Sequence, residues 1–187
     1  AHLSGAAGAV YIFTRSGEAW SEEQKIVSDD LEPNAEFGYS VSLWDDTVAV
    51  GARLENFPEG AVYIFTRSGS TWTQQQKITA TSTYYFGQSV SLHIDSLAVG
   101  SPVESSNQGA AYVFTRSGST WSEEQELSAP TIAGLQFGTN VAIFDDLCVV
   151  GSERQRIFVY SRSGTTWTEQ QTSVPDSNQS FYGKYLS

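Results

Sequence analysis

A stretch typical of a β-strand, followed by an Arg-Ser-Gly turn and a polar stretch that begins with tryptophan, occurs four times in these 187 residues. The tryptophans are Trp20, Trp72, Trp121 and Trp167, which lie 52, 49 and 46 residues apart. Repetition at this period, built from strand-like segments, predicts a repeat architecture in which neighbouring units share a core. Because the tryptophans recur at the same position of each unit, they are predicted to pack between units.

One complete unit contains four strand signals, at residues 37–43, 47–51, 61–65 and 72–78. Short runs of β-branched and aromatic residues separated by Gly, Asp and Ser are typical of antiparallel strands. No segment has a convincing helical period. Four strands in about 49 residues predict an all-β fold, a β-propeller with four-stranded antiparallel blades. The fourth strand is rich in Gln, Glu and Lys, which is typical of a solvated outer edge.

The order of motifs within a unit is specific. Phe37-Gly38 is followed by Val50-Gly51-Ala52 and then by the strand at residues 60–65, whose sequence is Gly-Ala-Val-Tyr-Ile-Phe. This order resembles the FG-GAP repeat of integrin α-subunit propellers, and is closer to its bacterial and protist branch. The resemblance implies a propeller, usually seven-bladed and extracytoplasmic, that serves adhesion or recognition.

One departure from that family concerns calcium. Many members carry an aspartate-rich calcium loop between the first and second strands, but this chain has only the short turn at Asp45-Asp46 and its equivalents. Calcium takes six to eight oxygen ligands, which two carboxylates in a tight turn cannot supply. The aspartates are therefore predicted to shape the turn, and we expect no metal and no cofactor.

The repeat extends over the whole chain, residues 1–187, which we therefore expect to form one propeller segment. We expect a partial blade at 1–27, blades at 37–78, 86–127 and 137–172, and the start of a further blade at 181–187. Two interpretations of the incomplete blades remain open. Either the chain is a window of a longer array, or another copy completes the broken blade by strand addition.

The charge of the chain restricts its partners. A net charge of −11 argues against nucleic acid, because binding phosphates requires clustered Lys and Arg. No run of 18 apolar residues occurs, so membrane insertion is not expected. The single cysteine, Cys148, lies in an apolar run and is predicted to be a buried small side chain.

Candidate binding residues lie on the face that carries the long loops, which differ between units while the strands stay alike. Binding residues concentrate on loops held by a rigid scaffold. The candidates, an acidic cluster with one arginine and two tyrosines, are Asp29, Asp30, Glu32, Glu36, Arg53, Glu55, Glu59, Tyr84, Tyr85 and Glu104. They suit a cation or a basic partner, and the simpler interpretation is a solvated acidic rim. Asn178 begins a glycosylation pattern that is short enough to arise by chance.

The opposite face carries one arginine and one aspartate per unit, which we expect to pair at the hairpin ends. No catalytic constellation is recognisable: the histidines are His2 and His93, and His93 replaces aromatic residues of the other units. Together with the extracellular location and adhesive role that the resemblance implies, this predicts a non-enzymatic extracellular module for binding a protein or glycan, for adhesion or for structure. The alternatives are the non-catalytic portion of a secreted polysaccharide lyase or phospholipase, and an accessory subunit of a larger assembly or filament.

Overall fold

The structure is a computed structural model that describes residues 7–81, 83–103, 108–129, 135–153 and 156–173. The regular elements within these ranges are all β-strands. They are β1 (Val10–Ser16), β2 (Ala19–Ile26), β3 (Phe37–Trp44), β4 (Thr47–Ala52), β5 (Ala61–Ser68), β6 (Thr71–Ile78), β7 (Ser89–His93), β8 (Ser96–Ser101), β9 (Ala110–Ser117), β10 (Thr120–Leu127), β11 (Phe137–Phe144), β12 (Leu147–Ser152), β13 (Ile157–Ser163) and β14 (Thr166–Ser173). No helix among the described residues is long and apolar enough to cross a membrane.

The described strands form three four-stranded sheets and one pair. Strands β3–β6, β7–β10 and β11–β14 are each antiparallel meanders in chain order, here called blades 1, 2 and 3. Strands β1 and β2 form a two-stranded partial blade. This topology confirms the predicted all-β propeller fold with four-stranded antiparallel blades.

The core lies between consecutive blades, and the second and third strands of blades 1 and 2 bury side chains on both of their faces. Three clusters of buried apolar side chains join the partial blade to blade 1, blade 1 to blade 2, and blade 2 to blade 3. The second strand of blades 1 and 2 is buried along its whole length. Its residues are therefore mostly small or β-branched and apolar, with sequences Thr-Val-Ala-Val-Gly-Ala and Ser-Leu-Ala-Val-Gly-Ser.

The two glycine motifs of the repeat meet across blade boundaries. The N–H of Phe86, which begins blade 2, donates to the carbonyl of Glu59 in blade 1 at 2.9 Å, and Phe86 bridges to Gly60. The Phe86 ring then packs edge-on against Tyr112 of its own blade at 5.6 Å. Equivalent bridges join Gly8 to Phe37 and Gly109 to Phe137. Each Phe-Gly motif therefore attaches its blade to the preceding one.

Candidate functional site

A large cavity lies where the inner strands of three blades begin. It has a volume of about 690 Å³. Two tyrosines, an arginine, amides and apolar side chains form most of its wall, and the complete lining is Tyr39, Ser40, Val41, Arg53, Tyr85, Gln88, Ser89, Val90, Pro102, Val103, Gln136, Thr139, Asn140, Val141 and Glu153. We call this the mouth cavity.

The repeat brings different side chains to equivalent places around the mouth cavity. Arg53 follows β4 directly, and Pro102 and Glu153 occupy the equivalent places in blades 2 and 3. In the same way, Tyr39 and Gln88 each follow the glycine of a Phe-Gly motif. The scaffold is thus repeated, while its projecting side chains make a single asymmetric wall.

Arg53 is held at the cavity wall by four neighbours. Its Cζ lies 3.6 Å from the centroid of the Tyr39 ring and 5.7 Å from the centroid of the Tyr85 ring. Both distances place the cation over an aromatic face. Its Nε donates to Glu36 Oε2 at 2.6 Å, and its Nη1 donates to Gln88 Oε1 at 2.9 Å. These contacts fix the plane of the guanidinium before any ligand arrives.

The residue before each Phe-Gly motif has a left-handed backbone conformation. The φ angles are 57° at Glu36, 61° at Tyr85 and 50° at Gln136. Residues other than glycine seldom adopt this region. All three positions therefore share one backbone shape but carry different side chains. From this position, Tyr85 and Gln136 line the mouth cavity.

Four of the predicted acidic residues surround a separate cavity of about 550 Å³, and these are Asp30, Glu32, Glu55 and Glu59. Lys77 lies among them, with its Nζ 2.7 Å from Glu55 Oε1 and 3.3 Å from Asp30 Oδ2. Glu55 is only 2% exposed, and its Oε2 accepts the backbone N–H of Glu32 at 3.1 Å. Two of these carboxylates, Asp30 and Glu55, are therefore already paired with Lys77.

The pKa values of this network follow from its contacts. The hydrogen bond from Ser28 holds the pKa of Asp30 below its ordinary value, although partial burial opposes this effect. Partial burial by itself lowers the pKa of Lys77, but its hydrogen bond to Glu55 is among the contacts that raise that pKa above the ordinary value. Lys77 stays charged at neutral pH and offsets the carboxylates beside it.

The other predicted binding residues do not join either group. Asp29 is exposed at the edge of a third cavity beside the outer strands. Tyr84 is exposed, and its carbonyl accepts a hydrogen bond from Ser101 at 2.9 Å. Glu104 and Asn178 lie outside the described residues. Of the predicted residues, Arg53 and Tyr85 thus line the mouth cavity, and Glu36 is hydrogen-bonded to Arg53.

Tyr39 and Gln88 are mouth residues that the sequence interpretation missed. Binding residues are expected in variable loops, whereas Tyr39 lies in β3 and Gln88 directly precedes β7. A signal was nevertheless present. The position after the Phe-Gly motif is Tyr, Gln and Thr in blades 1, 2 and 3, although its surroundings are repeated.

The opposite face confirms the expected arginine–aspartate pairs. Nε of Arg67, Arg116 and Arg162 donates to Asp46, Asp95 and Asp146 at 2.6, 2.6 and 2.8 Å. Nη1 of Arg116 also reaches Thr47 Oγ1 in the preceding blade at 3.0 Å, and Nη1 of Arg162 reaches Ser96 Oγ at 3.3 Å. These arginines connect blades, and the turn aspartates accept their hydrogen bonds.

Two side chains with potential for catalysis have structural surroundings instead. His93 packs between Trp44, which it meets edge-on, and the tilted ring of Phe144, with ring centroids 4.2 and 4.3 Å away. Its Nδ1 accepts the N–H of Asp145 at 3.0 Å. Cys148 is completely buried, which raises the pKa of its thiol to about 12. Within the part of the chain that the structure describes, no three His, Cys, Asp or Glu side chains are placed to share a metal ion.

The chain matches a family model described as the FG-GAP repeat, over residues 20–65 and 72–114. Each match begins at the tryptophan of an outer strand and ends in the third strand of the next blade. The sequence repeat therefore takes one strand from one sheet and three from the next. No curated protein matches the chain.

Proposed function

We propose, from the premise that this chain is an FG-GAP repeat protein, that it is a non-catalytic module that binds a protein or glycan ligand in the mouth cavity. The observation that carries the proposal is the position of Arg53. Its guanidinium is oriented by two tyrosine rings, a carboxylate and an amide at the wall of a cavity of about 690 Å³. That volume lies within the range typical of small-ligand sites.

The chemistry of the wall favours a ligand that carries an acidic group and hydroxyl groups. A guanidinium presents a planar set of N–H donors that suits a carboxylate. Gln88, Gln136 and Asn140 add amides that both donate and accept hydrogen bonds, and the rings of Tyr39 and Tyr85 offer flat apolar surface. An acidic sugar residue at the end of a glycan combines these properties, and an acidic protein loop is the alternative ligand.

The surroundings of the potentially reactive groups support a binding role. The ring of His93 is enclosed by two aromatic rings, and the Cys148 thiol is shielded by burial. The strong resemblance between the blades also suits a scaffold that presents loops. In keeping with the resemblance to extracytoplasmic propellers, we place this role outside the cell or at its surface, in adhesion or structure.

A comparison of two variants tests the proposal. The protein is applied to a glycan array and used in pull-down experiments, and the affinity of each ligand is then measured for Arg53→Ala and for Lys25→Ala. Lys25 is an exposed cation on β2, so its removal changes the net charge equally without touching the mouth cavity. We expect a loss of at least about tenfold for Arg53→Ala, because truncating a central arginine commonly costs about 2 kcal/mol or more, and little change for Lys25→Ala.

Two results would contradict the proposal. Equal affinities of the two variants for a captured ligand would place the binding site elsewhere. If neither an acidic glycan nor a protein is retained by the wild-type chain, the module is not a binding module of this kind. Circular dichroism of both variants confirms that a loss of binding does not come from unfolding.

A further inference from the structure

A glutamate joins the outer strands of blades 2 and 3. Glu124 Oε2 on β10 accepts the indole N–H of Trp167 at 3.0 Å and lies 3.5 Å from Nη1 of Arg162 in the next blade. Between the partial blade and blade 1, Glu23 Oε1 accepts the indole N–H of Trp72 at 2.8 Å in the same way. Hydrogen bonds to an ionised acceptor are roughly twice as strong as neutral ones. Both boundaries are therefore held at their outer strands by a charge-assisted bond.

The boundary between blades 1 and 2 lacks this carboxylate. Gln75 occupies on β6 the place that Glu23 and Glu124 occupy on β2 and β10. Within the described part of the chain, neither the buried Gln75 Oε1 nor the buried indole N–H of Trp121 has a hydrogen-bond partner. Even an amide turned toward the indole would supply a neutral bond rather than a charge-assisted one. The outer strands of blades 1 and 2 are therefore joined more weakly at this position.

The remaining described contacts of the outer strands are alike at the two boundaries of blade 2. Trp121 and Trp167 each exchange two backbone hydrogen bonds with a glutamine of the preceding blade. At both boundaries the turn arginine also donates to a hydroxyl of the preceding blade. Both indoles are 3% exposed. Among these contacts, the carboxylate beside the indole is therefore what distinguishes one boundary from the other.

The inner end of the boundary between blades 1 and 2 is firmly bonded. Ser40 Oγ on β3 donates to the carbonyl of Gly87 at 2.8 Å, and Ser42 Oγ accepts the N–H of Leu92 at 2.9 Å. The mouth cavity lies at this end, because Ser40 is part of its wall. The same boundary thus combines a closed inner end with a weakly joined outer end.

We propose that the boundary between blades 1 and 2 is a hinge that opens at its outer strands while its inner end stays closed. Opening separates β6 from β10 and breaks the bonds between Gln76 and Trp121. The bonds of Ser40 and Ser42 to blade 2 act as the hinge axis. The blades can therefore spread at their outer edge while the wall of the mouth cavity stays assembled.

Hydrogen exchange of single amides in the 187-residue chain, followed by NMR, tests the proposal. The backbone N–H groups of Trp121 and Trp167 are matched reporters, because each donates to a glutamine Oε1 at 2.8 Å. We expect the protection factor of the Trp121 amide to be at least about fivefold lower than that of the Trp167 amide. The Leu92 amide, at the inner end of the same boundary, should be protected at least about tenfold more than the Trp121 amide.

Three variants test whether the missing carboxylate is the cause. Gln75→Glu supplies it, and Thr73→Glu adds the same charge at an exposed residue of the same strand. We expect Gln75→Glu to raise the protection factor of the Trp121 amide at least about fivefold, although residue 75 does not bond to that amide, and Thr73→Glu to leave it unchanged. Conversely, Glu124→Gln should lower the protection factor of the Trp167 amide at least about fivefold.

Four results would overturn the proposal. Equal protection of the Trp121 and Trp167 amides in the wild-type chain would mean that the two boundaries open equally. An unchanged Trp121 amide in Gln75→Glu, or the same response to Thr73→Glu, would show that the carboxylate is not what closes the outer strands. Equal protection of the Leu92 and Trp121 amides would mean that the blades separate along the whole boundary and that no hinge exists.

Discussion

Gln76 and Trp121 form a reciprocal pair of hydrogen bonds across the boundary between blades 1 and 2. The backbone N–H of Trp121 donates to Gln76 Oε1 at 2.8 Å, and Gln76 Nε2 donates to the carbonyl of Trp121 at 2.9 Å. The side-chain amide of Gln76 thus makes the two backbone hydrogen bonds with Trp121 that a neighbouring strand would otherwise make. The same pair recurs between Gln24 and Trp72 and between Gln125 and Trp167.

Replacing Gln76 by alanine is expected to destabilise the protein by about 1–3 kcal/mol, because both backbone groups of Trp121 lose their partner in a part-buried place. Gln171 supplies the matched control. It is exposed on the fourth strand of blade 3, and its Nε2 donates to Ser173 Oγ of the same strand. We expect Gln171→Ala to change stability by less than about 0.5 kcal/mol. Urea unfolding measures both, and equal destabilisation would contradict a role in joining blades.

Gly100→Ala is expected to destabilise the protein by about 3 kcal/mol or more. The added Cβ would lie 1.9 Å from the carbonyl oxygen of Gly138, so the backbones of both blades would have to separate. Gly118 provides a comparison: its φ is 64°, and a Cβ there would meet no atom within 4 Å. Asparagine tolerates that conformation, so Gly118→Asn is expected to cost less than about 1 kcal/mol. Thermal unfolding that ranks the two variants in the opposite order would refute the steric explanation.

Ile94 begins the two-residue turn of blade 2 with a φ of 53°. This conformation is unfavourable for a β-branched residue. Blades 1 and 3 place Asp45 and Asp145 there, with φ angles of 50° and 49°. Ile94→Asp is therefore expected to raise the free energy of unfolding by about 1 kcal/mol, and the converse change, Asp45→Ile, should lower it by a similar amount. Chemical denaturation measures both, and an unchanged or lower midpoint for Ile94→Asp would show that the isoleucine makes compensating contacts.

Cys148 is expected to resist thiol reagents in the folded protein at about pH 8. Burial raises the pKa of its thiol to about 12, so the reactive thiolate is scarce, and the side chain is inaccessible. Labelling with a chromogenic disulfide should therefore proceed only after unfolding, and its rate should follow the denaturant concentration. Fast labelling in buffer alone would mean that blade 3 opens without global unfolding.

Local chemistry accounts for much of what could be predicted. Alternating apolar residues, the Phe-Gly and Arg-Ser-Gly motifs and the aspartate turns identify the strands, and β3 and β11 begin at the predicted phenylalanines. The pairing of Arg67 with Asp46 could also be inferred, because a hairpin end brings both onto one face. The polar residues of the fourth strand indicate an outer edge, and β6 is the outer strand of its sheet. The sequence does not reveal that Gln76 also bonds to Trp121, which is 45 residues away in the next blade.

In the candidate site as well, the sequence identifies individual residues and the tertiary structure decides which of them meet. Glu36, Arg53 and Tyr85 stand in variable loops and were predicted as binding residues, but their sequence positions do not reveal that they meet around one guanidinium. Glu55 was predicted with them, yet it is buried and forms an ion pair with the partly exposed Lys77. Whether such a residue is free to bind a ligand depends on which side chains the neighbouring strands place beside it.

The sequence alone therefore determined the blade: its four strands, its turns and the small residues of its second strand follow from short-range preferences repeated in every unit. Only the tertiary structure decided which residues of consecutive blades contact one another. Gln76 acquires a partner and Tyr39 becomes part of a cavity wall because each blade packs against a neighbour that lies one repeat away in the sequence. Contacts between blades join residues about one period apart, so short-range sequence preferences do not reveal which side chains meet.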